Sequence, residues 1–246
     1  SGDEVRIPPI RYTEKESEHS APPLKLSEMP PILFEDQNIM VVDKPAGMAS
    51  HGGSGISYGL IERMRASRPG LRFLELVHRL DRGTSGVLVL AKTRKALVRL
   101  HEMIREGEMH KTYQALVKGD WQNDRQHAKF PLFKYVTPSG ERRVRVDPEN
   151  GLPSHSIFRL KERFGPVSLV EVDLLTGRTH QIRVHAAELG FPLVGDEKYG
   201  DFAFNDEVAH GSLGVPFKRM FLHSGKICFH HPITGEELEI EAPLPK

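Results

Sequence analysis

The densest chemistry in the chain lies in HRLDRGTSG, residues 78–86, where the acid Asp81 stands between Arg79 and Arg82 and Thr84 follows. An apolar run, VLVLA, comes directly after it. Charges this close to a core strand must be paired or used. A carboxylate held near a guanidinium stays ionised at neutral pH. It can then act as a nucleophile or a base, or it can anchor a turn by ion pairing. These residues alone leave both readings open. A second cluster, LLTGRTHQIRVH, puts Arg178, Thr179 and His180 where a helix should start, with Arg183 close behind. A helix N-terminus beside arginine suits an anion. Two basic clusters around one acid point to polyanion binding with carboxylate chemistry. A glycosidic bond within a nucleic acid meets both demands, because C1′ of the sugar is an electrophile that a carboxylate can attack.

Other chemistries fit the residues less well. HGGSG at 51–55 lacks the ending of a phosphate-binding P-loop and the spacing of a dinucleotide fingerprint, so it reads as a loop near a site. His180 and His185 stand five apart and no HExxH occurs, so no metal is expected. GTSGV is one residue short of a G-x-S-x-G elbow, which argues against a hydrolase triad. The single cysteine, Cys228, excludes an internal disulfide and a cysteine-built zinc site. It sits between Ile227 and Phe229 and reads as a structural thiol.

The elements that must position these groups belong to a chain of 246 residues, 38% apolar and 27% charged, which is enough for a real core. No apolar run reaches the length of a membrane span, and no signal-peptide pattern is present, so a cytoplasmic protein with no membrane partner is expected. The net charge of +1 is uninformative, but its distribution is not. Tyr58–Arg82 carries six arginines against three acids, and Lys92–Lys111 carries six cations against three acids. GERRVRV at 140–146 adds a third basic cluster. Such stripes are either a phosphate footprint or solvated faces.

Residues 8–31, rich in Pro, Glu and Ser, read as a linker, so the folded part is expected to start near Ile32. ILFEDQNIMVVDK reads as two strands around a turn. Residues 57–67 read as a helix with Ser57 as its N-cap, and 94–106 as a second helix with Leu97, Leu100, His101 and Ile104 on one face. LELV, GVLVLAKT and KTYQALV read as strands. One hairpin is expected around TPSGE, a second joining HSIFRLKERF to SLVEVDLL, and a third closing over HPITG. TGRTHQIRVHAAELG reads as a helix ended by Gly190. Adjacent hairpins with few helices predict an α+β fold with a mixed, largely antiparallel β-sheet, flanking helices and a central cleft.

Six motifs together carry a resemblance. VVDKPAGMASHGG, HRLDRGTSG, KTYQALVKG, LLTGRTHQIRVH, GDEKYG and FLHSGKICFHHPITGE resemble, in this order, the RluA-type pseudouridine synthases. The resemblance spans about Ile32 to Pro243. GDEVRIPP also resembles the end of an S4-type RNA-binding domain. The expected layout is therefore 1–31 as a linker remnant after a missing N-terminal S4-type domain, and 32–246 as the catalytic domain. The resemblance implies isomerisation of uridine to pseudouridine in large-subunit (23S) ribosomal RNA, without a cofactor, by a monomer whose partner is that RNA. It implies that Asp81 is the catalytic aspartate, attacking C1′ or removing a sugar proton. It pairs Arg183 with that aspartate, stacks Tyr113 on the uracil and lets it help take the C5 proton, gives Arg79 the gap left by a flipped base, and packs Leu222 against the base. Arg82, Thr84, Arg178 and His180 are expected to touch RNA. The rivals are a glycoside or nucleoside hydrolase, which would need a second carboxylate, and an RNA-binding module without activity, which would be expected to lack Asp81, Tyr113 or Arg183.

Overall fold

The computed structural model describes residues 21–53 and 55–245. Its main element is a ten-stranded sheet. The first strands, β1 (Ile32–Glu35) and β2 (Ile39–Lys44), form a hairpin whose turn is held by the Asp36 carboxylate, which accepts from the backbone N–H of Asn38 and Ile39. Helix α1 (Leu60–Ser67) follows, then the short β3 (Glu75–Leu76) and the buried β4 (Ser85–Ala91). Every residue of β4 is buried, as expected of an apolar run covered on both faces. Helix α2 (Arg94–Glu106) leads to β5 (His110–Lys118). Then come β6 (Arg125–Ala128), the separate hairpin β7 (Leu132–Val136) with β8 (Arg142–Val146), and the pair β9 (Ser156–Arg163) and β10 (Val167–Leu174). Helices α3 (Gln181–Glu188) and α4 (Phe202–Ala209) precede the closing hairpin of β11 (Leu222–His230) and β12 (Glu237–Glu241).

The strand order is β1-β2-β4-β11-β5-β10-β9-β6, with β12 also on β11 and β3 on β4. All pairings are antiparallel except β11 with β4, which touch only at His223 with Ser85 and Ser224 with Gly86. At this crossing the backbones come very close. A Cβ on Gly86 would lie 2.2 Å from the Ser224 carbonyl oxygen, and its φ of +109° lies where only glycine is comfortable. The crossing lies just behind the Asp81 turn, so its closeness fixes where that turn meets the rest of the sheet.

Alternation in the central strands builds two cores, one on each face. Met40, Val42, Leu88 and Leu90 join Leu60 and Met64 of α1 on one side. Ile39, Val41, Val87 and Val89 join Ala96, Leu100 and Met103 of α2 on the other.

The α+β expectation and the three hairpins hold, and α2 has the expected bounds. Five details differ. Strand β6 was not expected within its polar, Pro/Gly-punctuated stretch, and α3 starts at Gln181 rather than at TGRT, with His180 as its N-cap. Helix α1 starts at Leu60 rather than Ser57, because the Glu62 carboxylate caps the N–H groups of Gly52 and Gly59 and turns the chain there. Helix α4 was not expected from its apolar pattern; Asp201, which accepts from Phe204 N–H, is its start signal. The expected linker falls in part on residues 1–20, outside the described residues, but the fold already takes hold before Ile32. Leu24 is buried in the α1-side core, its N–H donates to Ser67 Oγ at 2.7 Å, and Glu28 pairs with Arg63 at 2.6 Å.

Candidate active site

Asp81 lies in the turn between β3 and β4, where its carbonyl accepts from Thr84 N–H at 3.0 Å. This places its carboxylate, about a third exposed, in an open cleft of about 1380 Å³. Arg183 reaches it from α3, donating from Nη1 to Oδ2 at 3.1 Å. The other two faces of the guanidinium are taken by Asp196, with Nε to Oδ2 and Nη2 to Oδ1 both at 2.7 Å. Arg183 is therefore clamped in its plane by a fully buried carboxylate, and only Nη1 is left to face Asp81. Burial pushes the Asp196 carboxyl up, but Arg183 and the N–H groups of Lys198 and Tyr199 outweigh it and hold it below the usual range. The Arg183 guanidinium stays charged, because Asp196 and Asp81 outweigh its burial.

His180 closes the other side. It is the N-cap of α3 and the one non-glycine residue with positive φ among those described, at +54°. Its Nδ1 lies 2.7 Å from Tyr199 Oη, which also accepts from Val144 N–H at 2.8 Å. The phenol proton therefore goes to Nδ1, which puts the ring proton of His180 on Nε2, 3.9 Å from Asp81 Oδ2. Burial keeps this imidazole's pKa down against the pull of Asp81. The loop Asp196–Tyr199 thus orients both partners of Asp81, and Lys198 ties it to the β7–β8 hairpin through Glu141 at 2.8 Å.

The floor is apolar. Tyr113 of β5 and Leu222 at the start of β11 are buried beside Leu80 and Ile182 and line the cleft. Burial pushes the Tyr113 phenol up, and the Asp81 charge adds to the rise. Under the Asp81 turn lies Lys44, fully buried at the end of β2, whose ammonium donates to the carbonyls of Met48 at 2.7 Å and Pro45 at 3.0 Å. Burial pushes it down to about 7 while Asp81 and Asp43 pull it up. It pins the PAGM turn against Arg82, whose carbonyl accepts from Gly47 N–H at 2.8 Å.

Every residue predicted for the site lines this one cleft: Arg79, Asp81, Arg82, Thr84, Tyr113, Arg178, His180, Arg183 and Leu222. Their partners differ from the simplest expectation. Arg79 and Arg82 flank Asp81 in sequence yet bond elsewhere, Arg79 to His51 at 3.3 Å and Arg82 to the Gly47 carbonyl at 3.0 Å. Arg178 donates to the Pro153 carbonyl at 3.1 Å. Thr84 Oγ1 is buried with no hydrogen-bond partner among the described residues. The basic stripes reach the cleft only in part, through Arg79, Arg82, Arg105 and Lys111, while the third cluster contributes Arg142 and Arg143 from the β8 edge. Asp196, Tyr199 and Lys44 were missed as site residues. Their roles depend on partners far off in sequence, although GDEKYG and VVDKP both stood among the recognised motifs. Among the described residues no cluster of His, Cys, Asp and Glu is placed to hold a metal, and no helix is long and apolar enough to cross a membrane.

Comparison with known proteins agrees with this geometry. Residues 38–188 match the family described as RNA pseudouridylate synthase. The chain is 51% identical over 250 residues to ribosomal large subunit pseudouridine synthase C of Salmonella typhi, covering all of this chain and 77% of that protein. It is 50% identical over 248 residues to the protein of the same name from Escherichia coli strain K12, covering 99% of this chain and 76% of that one. Among solved structures, human RNA pseudouridylate synthase domain containing 1 superposes with a TM-score of 0.73 at 28% identity, over 90% of this chain and 86% of that one. With the six motifs, the fold and the aspartate–arginine cleft all in agreement, the chain belongs to the RNA pseudouridylate synthase family and is an enzyme that isomerises uridine to pseudouridine in RNA.

Proposed function

We propose that the substrate is large-subunit ribosomal RNA and that Asp81 is the essential catalytic group, working without a cofactor. The observation that carries the second point is the Arg183–Asp81 pair at 3.1 Å, at a strand end, over an apolar floor. The target uridine leaves its stack at a cost of a few kcal/mol. Arg79 at the exposed rim fills the gap, and the uracil enters between Tyr113 and Leu222. Asp81 attacks C1′ or removes a sugar proton. The N1–C1′ bond breaks, the uracil turns, C5 bonds to C1′, the C5 hydrogen leaves as a proton and N1 takes one up, so the product is an isomer. The burial of Tyr113 keeps its phenol protonated, which favours stacking over a role as base. Arg82, Thr84, Arg178 and His180 contact the strand. The names of the relatives support ribosomal RNA as the target. The reading includes a cytoplasmic monomer with an S4-type module upstream of residues 1–31.

Two assays test it. Pseudouridine mapping in large-subunit rRNA from cells lacking the protein should show sites lost; an unchanged map contradicts the target. Incubation of the corresponding transcript should convert uridine with no release of free uracil. Free uracil would instead indicate hydrolysis, and no change would indicate binding alone.

A further inference from the structure

Strand β5 carries a second group into the cleft, two residues before Tyr113. Lys111 lines the cleft and is largely withdrawn from water. Its Nζ lies 3.6 Å from where a Cβ on Gly177 would stand, which puts it beside the loop leading to Arg178. The group whose charge state it influences is His78, and that ring accepts the Val89 N–H on Nε2 at 3.1 Å, so it offers Lys111 no acceptor there. Among the described residues the Lys111 ammonium has no hydrogen bond and no ion pair, and its surroundings push its pKa down by burial alone. Lys92, Lys118, Lys198 and Lys226, by contrast, each have a carboxylate. A desolvated ammonium without a partner destabilises a fold. Such a local conflict is expected where function needs it and a ligand completes it.

We propose that Lys111 is a seat for the RNA backbone: its ammonium takes a non-bridging oxygen of one phosphodiester flanking the uridine held at Asp81. This rests on the RNA reading above and assigns a contact within it. The spacing fits. Lys111 and Tyr113 stand two residues apart on β5 and line the same cleft. Two residues along a strand are about 7 Å, the scale of one step along an RNA strand. Arg105 and Arg178 line the same cleft and add positive charge. A full negative charge, rather than a uracil carbonyl, is the complement of an unpaired and partly desolvated cation.

The test uses the whole chain, the variants Lys111→Met and Lys111→Arg, and a transcript-derived RNA holding one neutral methylphosphonate linkage at a time around the target uridine. Lys111→Met should fold with a Tm in the absence of RNA equal to or above that of the wild type, since it removes an unpaired charge. It should bind RNA about tenfold more weakly, with the slope of log affinity against log salt reduced by about 0.7. Lys111→Arg should recover most of the affinity. One flanking methylphosphonate should weaken wild-type binding by a similar factor and cost Lys111→Met nothing further. Losses that add at every linkage, unchanged affinity, or a lowered Tm with an unchanged salt slope would overturn the assignment. Conversion of the unmodified RNA by wild-type protein is scored alongside. If conversion occurs and the losses add, only the Lys111 contact fails. If the wild type neither binds nor converts the RNA, the RNA reading itself fails and takes this contact with it.

Discussion

Many cations on the outer surfaces have a carboxylate partner, whereas most of those lining the cleft do not. On the outer surfaces Arg63 pairs with Glu28, Arg65 with Glu75, Arg68 and Lys92 with Glu35, and Arg99 with Glu102, Glu106 and Glu108. Within the cleft Arg79, Arg82, Arg105, Lys111, Lys134, Arg142 and Arg178 have no carboxylate among the described residues, and the exception, Arg143, pairs with Glu141 of its own hairpin at 2.8 Å. The acids of the cleft are instead concentrated on one guanidinium, Arg183, which has Asp196 behind it and Asp81 in front. The difference separates two uses of charge. Outside, Arg63, Arg68 and Lys92 tie segments together across long stretches of sequence, while Arg65 and Arg99 pair with acids close by in sequence. Inside, most wall cations are left without a carboxylate, so a polyanion can supply the counter-charge, and the buried Arg183–Asp196 pair holds the guanidinium that faces Asp81.

That comparison can be broken at its strongest point. Asp196→Asn leaves Arg183 buried with half its clamp uncharged, and should cost about 3–5 kcal/mol in denaturant unfolding. A loss below ~1 kcal/mol would mean that the clamp does not hold the α3 corner. The same pair sets an acid limit. Because the folded Asp196 carboxyl titrates below its unfolded value, its stabilisation is fully present above the unfolded carboxylate pKa, about 3.9. It is lost as pH falls through the lower folded value. Acid unfolding of the wild type should therefore steepen below about pH 4, and Asp196→Asn should lose that part of the pH dependence. Next in size are the unpaired cleft cations. Arg142→Ala and Arg105→Ala should each weaken RNA binding several-fold and lower the salt slope by about 0.7 per contact, with Tm almost unchanged. An unaltered salt slope would assign those side chains to solvent. Smallest is the outer pair. Arg68→Ala should cost less than ~1 kcal/mol of stability and leave the RNA salt slope as it was; a changed slope would move the outer surface into the interface.

How much of this could be read from the sequence depends on how local each feature is. The strands other than β6, the three hairpins and α2 were legible because alternation, turn residues and caps act within a few positions. Asp81 stood out because an acid before a core strand is locally anomalous. Its partner Arg183, a hundred residues on, came only with the family resemblance. Asp196 and Tyr199 were not legible as site residues, since a carboxylate that clamps an arginine and a phenol that fixes a histidine tautomer have no periodic signature. The stripes show the same limit. Charge counts at 58–82 and 92–111 are plain in the sequence, but Glu28 and Glu35, which neutralise part of them, come from the chain's start. The early docking of Leu24 was hidden because its stretch is proline-rich and reads as linker, while its burial comes from contact with α1.

The central claim is that Asp81 carries the reaction from the corner that Arg183 and Asp196 build. Asp81→Asn keeps the shape and removes the charge, and the most direct measurement is release of tritium from RNA labelled at C5 of uridine. The account predicts a folded variant that still binds RNA and whose release falls by at least about a thousandfold, within the range for loss of a catalytic acid–base group or nucleophile. Near-normal release from folded Asp81→Asn protein would contradict it, and would leave Asp81 as no more than the anchor of a turn.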